Sequence, residues 1–167
     1  VKRDLLLTDT QMSLLLGLAF ALFYTTMGIP IGRLADKKSR RTIIAVGISF
    51  WCLMTAACGL AKNYMQLFLA RVGVGVGEAT LSPSSLSMIG DYFPKEKRGK
   101  ALGLFNIGVS VGSGIAFIVG GQIMAYVATR DNIVLPIIGE IYPWQALFIM
   151  VGLPGLIVAA LMLSLIH

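Results

Sequence analysis

At 167 residues, 56% hydrophobic and 13% charged, the chain has roughly half the charge of an ordinary soluble domain, where about 25% of residues are charged. A globule of this length cannot hide so much apolar sequence from water, so the soluble classes give way to a membrane protein. The net charge of +6 does not point to nucleic acid, because nine of the 14 basic residues fall into two short clusters between apolar runs, as topology signals do.

The chain begins at Val1, and Lys2-Arg3-Asp4 is not followed by a short apolar region with a small-residue cleavage site. No signal peptide is expected, and the start reads as a point partway through a longer protein. Charge-free gaps then run from Thr10 to Gly32, Thr42 to Ala61, Asn63 to Gly90 (interrupted by Arg71 and Glu78), Ala101 to Thr129 and Ile141 to Ile166. Each supplies the roughly 20 predominantly apolar residues of a spanning helix. The runs are continuous rather than alternating, which predicts helices and not barrel strands. The expected fold is an all-α, polytopic membrane protein with five spans at approximately 11–33, 42–61, 64–90, 101–127 and 144–166.

Arg33, Lys37, Lys38, Arg40 and Arg41 follow the first span, and Lys95, Lys97, Arg98 and Lys100 follow the third. The opposite side has Lys2, Arg3, Lys62 and Arg130. This asymmetry predicts a multi-pass protein of the cell (inner or plasma) membrane, with the first two loops and the C-terminus cytoplasmic and the N-terminus outside. Such an arrangement implies at least one preceding span. The long outer connection, 130–142, carries helix breakers at Asp131, Asn132 and Pro136. Its apolar stretch 133–138 is read either as loop or as a short re-entrant or interfacial piece. Pro143 is expected to open the last span, with Trp144 at the interface.

Arg71 and Glu78 are the costly residues, since charges inside a span are by default functional. Seven residues apart, they share a helix face, roughly 10 Å apart along the axis. Gly75, Ser82 and Ser85 extend that face into a polar stripe. Glu78 is expected about 20 Å below the outer edge of a core roughly 30 Å thick, near the midplane. Desolvation there disfavours a carboxylate and a nearby cation favours it, so a partner that comes and goes would make a proton switch. A static ion pair that fixes packing is the competing reading. Gly73, Gly75 and Gly77 do not form a nucleotide loop, having neither a preceding strand nor a following P-loop Lys-Ser/Thr; they read as helix-packing glycines.

Cys52 and Cys58 lie six residues apart, about 120° around one helix, which argues against an internal disulfide. No metal-ligand pattern or cofactor motif occurs, and no His/Asp/Glu cluster supports an enzyme. Tyr24, Thr25 and Thr26 interrupt the first span and face either a pathway or a neighbouring helix.

Gly32, Asp36, Lys37, Arg40 and Arg41 resemble the loop signature G-x-x-x-D-[RK]-x-G-[RK]-[RK] of the major facilitator superfamily, with Ser39 where glycine is usual. Arg71, Gly75, Gly77 and Ala79 resemble that family's helix-four motif R-x-x-x-G-x-G-x-[GA]. Phe50-Trp51, Ser82-Pro83, Asp91-Tyr92-Phe93 and Val111-Gly112-Ser113-Gly114, with Glu78, are similar to the Spinster branch. The resemblance implies helices two to six of the family's N-terminal six-helix bundle, with helix one and the C-terminal half as absent partners. It also implies inner-side charge contacts for Asp91 and Arg98, and a helix five that meets the opposite half. That helix carries Gly108-x-x-x-Gly112, with Asn106 and Ser110 either touching substrate or bonding between helices. Ser113 stands where the family's antiporter signature has proline.

The implied function is secondary active transport of a small organic or amphipathic solute by alternating access, coupled to protons through Glu78 and Arg71. Lysophospholipid is the substrate class that the Spinster resemblance suggests. The implied partners are the solute, protons and membrane lipids, and no nucleic acid. Alternatives are a sugar-acid or organic-anion symporter, a non-transporting membrane receptor or assembly protein, and a channel.

Overall fold

The structure, a computed structural model, describes residues 1, 5–128, 133–135 and 139–165, without the side chains of 35–37, 128, 133–135, 139–140 and 165. A capping box opens its first helix. Thr8 Oγ1 accepts from the Gln11 N–H at 3.2 Å, and Gln11 Oε1 accepts from the Thr8 N–H at 3.0 Å. From there α1 (Asp9–Ser13), a π-helical turn (Leu14–Leu18) and α2 (Ala19–Lys37) follow one another along one apolar stretch. α3 (Arg40–Cys58) returns across the bundle. Asn63 caps α4 (Tyr64–Glu78), its Oδ1 accepting from the Gln66 N–H at 2.9 Å. α5 (Leu81–Tyr92) and α6 (Lys95–Ala128) follow, then a two-stranded antiparallel hairpin, β1 (Ile133–Leu135) and β2 (Gly139–Ile141), and finally α7 (Pro143–Gly152) and α8 (Gly155–Leu165).

Among the described residues, four stretches are helical, long and apolar enough to cross a membrane: Asp9–Leu34, Arg40–Cys58, Lys95–Val127 and Pro143–Ser164. The stretch expected as one span over 64–90 is instead two helices, α4 and α5, parted at Ala79–Thr80. Pro83 supplies the reason: it has no N–H to give the Ala79 carbonyl four residues back, and its ring crowds that turn. The chain tightens there, with the Thr80 N–H bonding to the Gly77 carbonyl at 3.2 Å. Pro154 parts α7 from α8 in the same way. The outer connection contains a hairpin, pairing Ile133 with Ile141 and Leu135 with Gly139, on an otherwise helical fold. Pro136 and residues 129–132 lie outside the described residues.

α3 is the hub. It packs against α4 most extensively, then α8, α7 and α5, and it contributes Ile43, Ile44, Ala45, Ile48, Cys52 and Cys58 to the buried interior. At one end, Leu7, Leu15, Cys58, Ala61, Leu67 and Trp144 form a cluster. Trp144 is therefore buried among side chains of the protein rather than on an exposed rim. Gln145 beside it is also buried and donates from Nε2 to the Ala61 carbonyl at 3.0 Å, tying α7 to the α3–α4 connection. α6 is the opposite case. It packs on α7 and α5 but leaves Leu104, Ile107, Phe117 and Ile118 exposed, as suits a helix whose remaining neighbours are apolar. Its glycines Gly108 and Gly112 meet no atoms within 4 Å.

Candidate functional site

The site is built on α4, and its glycines fix where that helix lies. A Cβ on Gly77 would sit 2.7 Å from Trp51 Cβ and 2.8 Å from the Trp51 backbone nitrogen. One on Gly73 would meet Met54 Cγ at 2.6 Å, so these two glycines press α4 onto α3. Gly75 faces α2 instead, where an added Cβ would approach the Phe20 carbonyl oxygen to 2.9 Å. These contacts account for the Gly-x-Gly-x-Gly run as a two-sided helix seam.

Arg71 and Glu78 occupy the face that remains. They lie within about 20° of each other around the helix and both are half-buried. Among the described residues neither has a hydrogen-bond partner and the two do not form a salt bridge with each other, whereas Arg40 does pair with Asp91. A half-buried guanidinium without a carboxylate partner offers a forked donor set to an anion, and a carboxyl without a cation in contact can take a proton. Both groups are carried by one helix face.

The break falls immediately after Glu78. Thr80 Oγ1 donates to the Gly77 carbonyl at 2.8 Å, and the Thr80 side chain occupies the space that a Cβ on Gly47 would need. α2 touches both sides of the break. Phe20 backs Gly75, while the Tyr24 hydroxyl is 3.2 Å from Ser82 Oγ on α5, with the Phe20 and Tyr24 rings stacked at 5.6 Å. Tyr24 thus joins the polar face. Thr25 and Thr26 do not, because their hydroxyls bond back to the Ala21 and Leu22 carbonyls at 2.8 Å. Ala79 is buried at the joint.

Asn106 and Ser110 are exposed on α6, and the Ser110 hydroxyl donates to its own helix at the Asn106 carbonyl, 3.1 Å away. No hydrogen bond among the described residues joins them to α4. In the first loop, Gly32 lies beside Pro83, with an added Cβ at 3.9 Å, and Arg41 is half-buried. The side chains of Asp36 and Lys37 are outside the described residues. Arg40 Nη1 pairs with Asp91 Oδ2, which puts both basic clusters at the same end of the bundle. Arg98 donates from Nε to the Phe93 carbonyl at 3.0 Å instead of to a carboxylate.

Two participants escaped the sequence reading. Thr80 looks like one more small polar residue until Gly47 is seen opposite it. Ser84 is fully buried with no partner for its hydroxyl among the described residues, whereas Ser82 and Ser85 were the serines on the expected stripe. Helical spacing could not place Ser84, because the break at 79–80 resets the periodicity.

The whole chain, residues 1–167, matches the family model described as Major Facilitator Superfamily. It is 29% identical over 159 residues to the probable L-galactonate transporter of Escherichia coli (strain K12), covering 95% of this chain and 32% of that protein. It is 36% identical over 124 residues to protein spinster homolog 1 of Xenopus laevis, covering 73% of this chain and 23% of that protein. It also superposes with TM-score 0.83, at 34% identity, on the crystal structure of a bacterial homolog to the human lysosomal transporter Spinster in an inward-facing and unoccupied conformation, covering 99% of this chain and 37% of that one. The chain thus spans between 23% and 37% of the length of these relatives. With the family model matched over every residue, the chain belongs to the major facilitator superfamily, within its Spinster-like branch.

Proposed function

We propose that this chain is part of a secondary active transporter that moves a small organic or amphipathic solute by alternating access, with Glu78 carrying the coupled proton and Arg71 setting its charge state. The observation behind the reading is that Arg71 and Glu78 share the open face of α4, unpaired, directly ahead of the break. An ion pair serving only to fix packing would be closed, and this one is open. Lysophospholipid is the substrate class that suits the Spinster-like similarity, and the basic ends lie in the cytoplasm by the positive-inside rule. The test uses the full-length protein in vesicles with an imposed proton gradient. Glu78→Gln should abolish gradient-driven accumulation while solute exchange without a gradient continues. Accumulation at the parental rate in Glu78→Gln would sink the coupling role.

A second reading has its own support. Arg71 without a partner suits the carboxylate of a sugar acid, and a relative 29% identical over 95% of this chain is a probable L-galactonate transporter. Arg71→Lys would then keep the charge but lose the forked geometry, raising the apparent KM for an anionic sugar far more than for a lysophospholipid.

A further inference from the structure

α2 meets both sides of the α4–α5 joint through two residues one helical turn apart. Above the joint, Phe20 is pressed onto Gly75, where an added Cβ would lie 2.9 Å from the Phe20 carbonyl oxygen and 3.5 Å from its Cα. That contact leaves no slack, so this part of α2 keeps its place on α4. Tyr24 stands one turn further along, its ring stacked on that of Phe20 at 5.6 Å. Its hydroxyl is 3.2 Å from Ser82 Oγ, beyond the joint on α5. Among the described residues, no other hydrogen bond joins α2 to α4 or α5. A residue anchored on the α4 side therefore bonds to the α5 side.

The backbone around this bond is made to bend. Ala79 (φ −60°, ψ −17°) and Thr80 (φ −74°, ψ −28°) keep right-handed helical angles, so small torsion changes at the joint are enough to re-aim α5. Pro83 follows Ser82 directly, and α2 has Pro30 inside it, each proline removing one helical hydrogen bond. The two weakened turns lie side by side, since an added Cβ on Gly32 would be 3.9 Å from Pro83 Cβ. That spacing is ordinary contact and permits sliding. The hydroxyl pair is directional and does not.

We propose that the Tyr24–Ser82 hydrogen bond is a strap across the joint. Tyr24 is a positioning residue that acts through Ser82 to hold α5 at its present angle to α4, and the bond opens each time α5 swings. The inference rests on the alternating-access reading above, but not on which group carries the proton or which solute is moved.

Backbone hydrogen–deuterium exchange of the full-length protein in nanodiscs, read by mass spectrometry without solute or gradient, tests the strap apart from the coupling role. Tyr24→Phe keeps the ring stacked on Phe20 and removes only the hydroxyl. It and Ser82→Ala should each speed exchange over residues 80–90 by about two- to ten-fold, the range of one hydrogen bond, and the double variant should go no further than either. Residues 66–77 of α4 should exchange at the parental rate in all three. Thr25→Val is the control, because its hydroxyl bonds within α2 and reaches no other helix. Gradient-free solute exchange in Tyr24→Phe should quicken by a similar factor. A rise in deuterium exchange spread evenly over α3, α4 and α5 would mean a general loss of stability and overturn the proposal. Unchanged exchange over 80–90, or solute exchange no faster than the parent, would overturn it as well.

Discussion

Gly77→Ala adds one methyl group at the tightest point of the fold. The new Cβ would lie 2.7 Å from Trp51 Cβ, 2.8 Å from the Trp51 nitrogen and 3.0 Å from Trp51 Cα. Two of those three atoms are backbone, in the middle of the helix that packs against most of the others, so no rotamer change relieves the overlap. Restoring ordinary carbon separations of about 3.5–4.0 Å means moving α4 and α3 apart by roughly 0.5–1 Å. A gap of that size forfeits about a quarter to a half of each contact's attraction along the seam. Overpacking of this kind typically costs about 1–3 kcal/mol, against which alanine regains at most ~1 kcal/mol of helix propensity. The control is Gly99→Ala in the second turn of α6, where an added Cβ meets nothing within 4 Å and propensity acts alone. Scanning fluorimetry of the purified protein in detergent should therefore show Gly77→Ala melting below the parent and Gly99→Ala at or above it. If Gly77→Ala melts at or above the parent, the seam does not set the position of α4 and the account of the glycine run is wrong.

Tyr24→Phe and Ser82→Ala should each lose about 0.5–1.5 kcal/mol, and the double variant should lose little more than either, a coupling that a double-mutant cycle in thermal stability reads directly. Asp91→Asn breaks the pair with Arg40, but with Asp91 61% exposed its effect should stay within about 0.2–1 kcal/mol and vanish in roughly 1 M salt; a larger, salt-independent loss would contradict a surface pair. Ser84→Ala removes a hydroxyl that is fully buried and unpartnered, so stability should hold or rise, and a fall beyond ~1 kcal/mol would mean that the hydroxyl has a partner.

The helices were legible because an apolar run of about 20 residues has few other fates, and the packing role of Gly73, Gly75 and Gly77 followed from their setting inside such a run. The break in the third run was not legible as such. Pro83 acts on the carbonyl of Ala79, inside a stretch whose average character is uniformly apolar, so composition masks it. The site divided along the same line. Arg71 and Glu78 announced themselves by their cost in an apolar setting, and Tyr24 by interrupting a span. Arg98 could not be separated from Arg40 by sequence, since both are arginines in basic loops; only the fold brings Arg40 to Asp91 and leaves Arg98 on a backbone carbonyl. A tryptophan after a proline at a span's end marks an interface by position alone, so that Trp144 is enclosed by a cluster with Leu7 and Ala61 is a tertiary fact the span pattern does not carry.

The seam and the joint together explain why two charges are placed on this helix. α4 is fixed on two sides by contacts that leave no slack, to α3 through Gly73 and Gly77 and to α2 through Gly75. α5 is held separately, at Ser82 by Tyr24 and at Asp91 by Arg40. Neither helix yields easily along its length, so in the proposed cycle relative motion is expected at Ala79–Thr80, the residues adjoining Glu78. For α5 to swing, the Thr80 side chain must slide across Gly47, where the missing Cβ leaves it a track. In the proposed cycle a proton arriving at Glu78 therefore acts at the joint itself and needs no relay through the packed seam. The test of that step is Gly47→Ala, which obstructs the track while leaving Arg71 and Glu78 untouched. It should slow solute exchange and proton-driven accumulation alike, whereas Glu78→Gln should remove only the latter. Equal exchange rates in Gly47→Ala and the parent would place the motion elsewhere.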